Sequence, residues 1–219
     1  MDSPRLSRDL LAFLVGVPVA WAVLLLFHPT GDGEAITYAD LQDKLTAWFA
    51  VHIGMILFIP LMAVAVYLLL RGVPGTAARV SRIALAVFVL FYGVWEALVG
   101  IGSGILVNDI NALSESERAA SAGLVESYND NILIRAFGIF GSIGSTAFII
   151  AMIAAGVALR RHAGAPLAVP VLLGLAGFLI TAHPPPFGPT GLGLFILAVV
   201  LYARSHAITP APFEQPPAV

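Results

Sequence analysis

Residues 47–70 read AWFAVHIGMILFIPLMAVAVYLLL, and this stretch decides the fold. It contains no Asp, Glu, Lys or Arg, and about 20 apolar residues are enough for a helix to cross the ~30 Å hydrocarbon core of a bilayer. Working outward, similar runs occupy roughly 9–27, 80–106, 132–159, 167–182 and 188–204. The spacing predicts an all-α, polytopic transmembrane helix bundle with about six spans. The last two spans are short, so they must thin the bilayer or leave the turn between them below its surface.

Composition agrees. The chain is 59% hydrophobic and 11% charged, whereas soluble domains average about 25% charged residues. Residues 1–206 therefore read as one transmembrane domain, and 207–219 as a Pro-rich, disordered cytoplasmic tail. The first span follows Arg5 and Arg8 and shows no small-x-small cleavage site, so it reads as a retained signal anchor.

Basic residues set the expected orientation. With the N-terminus inside, Arg5, Arg8, Arg71, Arg79, Arg82, Arg160, Arg161 and Arg204 are all cytoplasmic, and only Lys44, Arg118 and Arg135 lie outside. Both termini are then cytoplasmic and the outer loops are acidic. The Arg-over-Lys bias and the Ala, Val and Gly content suggest a bacterial chain, hence the cytoplasmic (inner) membrane.

Several functions are excluded. There is no cysteine, so disulfides, thiolate nucleophiles and thiolate-held clusters are out. The single lysine, Lys44, lies outside the apolar runs and cannot carry an intramembrane retinal. Gly72 to Arg79 has glycines but no Gly-Lys-Ser/Thr, so no P-loop is present. Nothing points to nucleic acid.

The longest outer loop joins spans three and four. Ser114-Glu115-Ser116-Glu117 is a capping-box pattern, which predicts a short outer surface helix over about 115–127. Asn108-Asp109 and Asn129-Asp130-Asn131 flank it and read as turns. A weak parallel repeat also relates the first and last hairpins. Phe27-His28-Pro29 and Ala182-His183-Pro184 each precede a span with a Gly…Leu-Phe-Ile run.

Topology gathers ionisable groups on one side. His28 closes span one, His52 lies just inside span two, His183 closes span five and Arg135 opens span four. Glu96 is the only carboxylate within a span, and an intramembrane carboxylate marks a functional site or a buried pair. The expected metal set is His28, His52, His183 and Glu96, with Glu96 as ligand or catalytic base. Imidazole suits Zn, Cu and Fe, and a b-type haem between His52 and His183 is a variant, walled by Phe49, Phe58, Phe91, Tyr92 and Trp95. Arg135, Trp95 and Tyr92 are the expected substrate contacts. The bland alternative is a Glu96–Arg135 ion pair, or a protonated Glu96 bonded to a neighbouring hydroxyl.

His162 and His206 flank arginines on the cytoplasmic side and read as surface residues. The run His183-Pro184-Pro185-Pro186-Phe187-Gly188-Pro189 reads as a rigid non-helical turn. Gly100-Ile101-Gly102-Ser103-Gly104 superficially resembles the Gly-x-Ser-Gly of rhomboid proteases, but the other signature motifs of that family are missing. Gly100/Gly104 and the row Gly138, Gly141, Ser142, Ser145 fit close helix packing.

Three functions remain at this stage. The first is a metal- or haem-dependent membrane enzyme acting on an apolar or lipid-like molecule at the outer leaflet. The second is a transporter or solute-binding protein using Glu96 and the histidines as a proton or cation site. The third is a non-catalytic accessory subunit of a membrane complex. Homo-oligomers are compatible with each.

Overall fold

The computed structural model describes residues 7–29, 36–136 and 138–207. Six long helical units form the body. Ser7 caps α1 (Arg8–Leu25) by accepting the Leu10 amide. A short turn α2 (Tyr38–Leu41) leads into α3 (Leu45–Leu69). Next comes α4 (Thr76–Glu96), which runs through a π-helical segment (Ala97–Gly102) into α5 (Ser103–Asn111). Two surface helices follow, α6 (Glu115–Ser121) and α7 (Gly123–Asn129). The chain ends with α8 (Ile139–His162), α9 (Ala168–Thr181) and α10 (Phe187–Ala207). No strand occurs among the described residues.

Five of these units are long and apolar enough to cross a membrane: Arg8–Leu25, Leu45–Leu69, Thr76–Asn111, Ile139–His162 and Phe187–Ser205. The sixth, α9, is apolar but has only 14 residues, fewer than the ~20 a crossing ordinarily takes. In chain order the helices form a closed ring, each packed on the next, with α10 returning to α1.

Small residues set the close approaches. A Cβ on Gly144 of α8 would meet the backbone of Tyr92 in α4, and one on Gly156 would meet Pro170 of α9. Glycines at such crossings let backbones touch where lipid supplies no hydrophobic drive. The buried core is apolar throughout, from Leu14 and Trp21 through Met62 and Phe88 to Phe148 and Phe195. Ser81 in its midst donates to the Ala151 carbonyl at 2.9 Å.

The 36-residue unit Thr76–Asn111 is about 54 Å long at 1.5 Å per residue, so one end projects beyond the bundle. There it meets α2 and α7 around a second small core of Tyr38, Leu41, Trp48, Val107, Ile110 and Val125. This hood sits over the end of the bundle where α1 and α9 stop. Arginines mark the opposite end, where Arg82 donates to the Leu70 and Val73 carbonyls and closes α3.

Some boundaries differ from the expected ones. Asn108-Asp109 is not a turn: both residues lie on the exposed face of α5, while Val107 and Ile110 face the hood. The surface helix is broken at Ala122 into α6 and α7, although its Ser114/Glu117 capping box is present. The fourth span begins at Ile139, since residues 131–136 form a turn in which the Asn131 side chain accepts the Leu133 amide. Apart from Ala207, the expected tail falls outside the described residues.

Candidate functional site

The site forms where the bundle meets the hood. His28 lies just past α1, and its ring Nδ1 is 2.8 Å from the Pro29 carbonyl. His52 is in α3, with Nδ1 2.8 Å from the Trp48 carbonyl one turn earlier. His183 follows α9 and precedes Pro184-Pro185-Pro186, whose second peptide is cis. Its Nδ1 is 3.1 Å from the Tyr92 hydroxyl, which itself donates to the Thr181 carbonyl at 3.0 Å.

These partners fix the tautomers. A carbonyl can only accept, so Nδ1 of His28 and of His52 carries the proton and Nε2 keeps a lone pair. With its one proton on Thr181, the Tyr92 hydroxyl accepts from His183 Nδ1, and Nε2 of His183 is likewise bare. The Nε2 atoms of His28 and His183 face each other at 3.2 Å. One ring nitrogen from each of the three histidines lies within 4.8 Å of the other two. Imidazoles around a tetrahedral zinc stand about 3.3 Å apart, nitrogen to nitrogen, given zinc–nitrogen bonds of about 2.0–2.1 Å. Outer hydrogen bonds that fix each ring and its tautomer are the usual support of such ligands.

His28 and His183 lie in connections beyond the helices. Burial holds the His28 imidazole below its usual range, against the opposing bond to Pro29. Burial, then the repulsion that protonated His28 and His52 would exert, holds His183 well below its own. Both are therefore neutral near pH 7, the form that binds a metal.

Glu96 ends α4 and is 1% exposed. Its Oε1 is 3.5 Å from His183 Nδ1 and its Oε2 is 4.0 Å from His52 Nε2. Oε1 has no hydrogen-bond partner. The π-helical turn that follows is wide enough to release carbonyls to side chains. The Leu98 carbonyl accepts the Tyr128 hydroxyl at 3.0 Å, and the Gly100 carbonyl accepts the Trp48 indole N–H. Short π segments of this kind recur at functional sites. Gly100 also lets the His52 ring lie flat on the turn, since a Cβ there would overlap that ring.

A cavity of about 1180 Å³ opens beside the cluster, lined by the three histidines, Glu96, Trp95 and Arg135 among others. The sequence-predicted residues divide three ways. His28, His52, His183 and Glu96 come together. Trp95 and Arg135 line the cavity, with the Trp95 indole donating to the Ile134 carbonyl at 2.6 Å and so holding the turn that carries Arg135. Tyr92 is off the cavity wall and serves His183 instead, because its hydroxyl is directed at the end of α9. No Glu96–Arg135 ion pair forms, since Arg135 is exposed on its turn. Phe58 stacks on Trp21 and Phe91 packs on Phe140, so neither lines this cavity.

Sequence reading missed Trp48, Gly100, Thr181 and Asn129. Trp48 walls the cluster, with its ring 4.0 Å from that of His52 between centroids. Asn129 was expected as part of a turn but is buried, accepting from the Ser103 hydroxyl at 2.9 Å and donating to Val125. That bond ties α7 to the first turn of α5, just past the π segment. An aromatic at the head of a span, or an Asn in an Asn-Asp-Asn run, carries no local sign of such a partner.

No protein-family model, no curated protein and no solved structure matches the chain.

Proposed function

We propose that the chain is a membrane metalloenzyme. A divalent transition ion, zinc by preference, is held by Nε2 of His28, His52 and His183, and the substrate is an apolar or lipid-like molecule. One observation carries this reading: three imidazoles, two buried and one half-buried, each bring a ring nitrogen within 4.8 Å of the other two while each also has a ring nitrogen at hydrogen-bond distance from an outward partner. Three neutral imidazoles leave a fourth coordination position for water, the pattern of catalytic rather than structural zinc. Glu96 Oε2 stands 4.0 Å from His52 Nε2, far enough to be no ligand in this geometry and near enough to accept a proton from such a water. Metal-activated water with a carboxylate base is hydrolytic chemistry.

The same geometry favours a bare ion over haem. A porphyrin occupies the plane between two axial imidazoles, and here the third imidazole and Glu96 fill that space. It also weighs against a transmembrane cation path. Among the described residues the buried polar ones are His52, Ser81, Glu96, Ser103, Asn129 and His183, and all but Ser81 lie at the hood end. In this reading α9 and α10 complete six crossings, with both termini cytoplasmic and the site at the outer face of a bacterial inner membrane.

The test is elemental analysis with an absorption spectrum of the detergent-purified protein. The expected result is close to one transition ion per chain, no Soret band, and loss of the ion in His28→Ala, His52→Ala and His183→Ala. Protein that stays metal-free after equilibration with zinc, iron and copper would overturn the proposal.

A further inference from the structure

The cavity's rim carries opposite charges that no contact neutralises. Arg135, Glu126 and Asp130 are exposed and line the same space that reaches Glu96 and the histidines. Among the described residues no ion pair joins them. Asp40 also lines the cavity, but it is engaged in the capping box with Thr37. Asp130 and Arg135 belong to one compact turn, in which the Arg135 amide bonds back to the Asn131 carbonyl at 2.8 Å. The indole of Trp95 holds that turn in place.

The turn also has an apolar edge. Ile132 and Leu133 are 53% and 43% exposed, directly before Arg135. Phe27 and Phe187 are exposed where α1 ends and α10 begins, at the same end of the bundle. Apolar and aromatic side chains bordering charge are the pattern of a segment seated at the head-group boundary. Deeper in the cavity, Glu96 leaves a buried carboxylate oxygen without a partner.

We infer that the cavity takes a zwitterionic amphiphile of the phosphocholine or phosphoethanolamine class. The phosphate lies on Arg135, whose planar guanidinium suits it. The ammonium group lies by Glu126 and Asp130. The apolar chain runs along Trp95 and Val99, which places a bond near the head group beside the histidine cluster. This assignment rests on the metal-centre reading for its chemistry, but the rim can be tested without it.

The experiment uses the full chain in maltoside detergent, with zinc content measured on each sample. Three soluble probes are titrated and followed by tryptophan fluorescence: dihexanoylphosphatidylcholine, dihexanoylphosphatidic acid and decyltrimethylammonium. The zwitterion should bind tightest. Arg135→Gln should weaken it by up to ~fivefold and leave the ammonium probe unchanged, on the scale of one lost exposed charge contact. The double variant Glu126→Gln/Asp130→Asn should weaken the zwitterion and strengthen the phosphatidate. All three positions are exposed, so folding should be unaffected.

Equal binding of the three probes, tighter binding of the phosphatidate by the unaltered chain, or indifference to Arg135→Gln would each overturn the assignment. Selectivity for the zwitterion in protein that binds no zinc would uphold the rim and sink the metal centre. Zinc binding without selectivity would do the reverse.

Discussion

Gly100→Ala should unseat one histidine while leaving the rest of the bundle in place. A Cβ at this position would fall inside the His52 imidazole, with ring carbons Cδ2 and Cγ as its nearest atoms. Carbon–carbon contacts settle at about 3.5–4.0 Å, so the ring must retreat by roughly 1 Å or more. Metal ligands tolerate only about 0.2 Å, so His52 leaves the set. Losing a ligand should cost at least the ~10–100-fold in zinc affinity that removing an outer-shell partner costs, or about 1.4–2.7 kcal/mol. Overpacking costs about 1–3 kcal/mol of stability, partly offset by up to ~1 kcal/mol of helix propensity gained from glycine to alanine. The control is Gly93→Ala on the same helix, where a Cβ meets nothing within 4 Å. Zinc affinity is read by competition with a chromophoric chelator, and stability by thermal unfolding of the zinc-free protein. If Gly100→Ala binds zinc within about twofold of the unaltered chain, where a ~10–100-fold loss is expected, His52 is not held by this contact or is not a ligand.

Tyr92→Phe removes the acceptor for His183 Nδ1 and should lower zinc affinity ~10–100-fold, with the ¹⁵N shifts of His183 reporting a changed tautomer. An unchanged spectrum with lower affinity would point to repacking instead. Glu96→Gln should keep one zinc per chain, bound more weakly, and slow turnover of a cleavable amphiphile by ~10²–10⁴-fold, the usual worth of a general base. Full loss of zinc would make Glu96 a ligand. Gly144→Ala should cost ~2–3 kcal/mol, because its Cβ would lie 2.6 Å from the backbone nitrogen of Tyr92 and backbone cannot rotate away. An unchanged unfolding temperature would contradict the close α4–α8 crossing.

The apolar runs made the helices legible, because lipid solvent forces long uncharged stretches wherever a helix crosses. Helix ends were less legible. Asn108 and Asp109 look like a turn by composition, yet they occupy the wet face of α5 while Val107 and Ile110 occupy the dry one. The run from Ile132 is apolar and reads as the start of a span, but Asn131 closes a local turn and the extended Gly138 delays the helix. The site was half legible. Shared depth brought His28, His52, His183 and Glu96 together on paper. Depth along a helix says nothing of azimuth, and azimuth turns Tyr92 toward His183 and separates Arg135 from Glu96. The roles of Trp48 and Asn129 depend on the hood folding back over the bundle, a long-range event with no local pattern.

The absence of an Arg135–Glu96 pair bears on the metal reading through charge. A buried carboxylate persists by pairing or hydrogen bonding, and isolating it costs several kcal/mol. Here Glu96 is flanked by two imidazoles whose Nδ1 or Nε2 atoms stand 3.5 and 4.0 Å away and by the hydroxyl of Tyr92, while Oε1 has no hydrogen-bond partner. Packing that only had to stabilise the bundle would do better with glutamine or leucine at this position, since replacing a buried charge by a fitted apolar side chain is often neutral or stabilising. A divalent ion held by the three imidazoles would favour the ionised form of Glu96 by placing positive charge beside it. Zinc should therefore raise the unfolding temperature of the unaltered chain more than that of Glu96→Gln, because only the former gains a neutralised carboxylate as well as a filled ligand set.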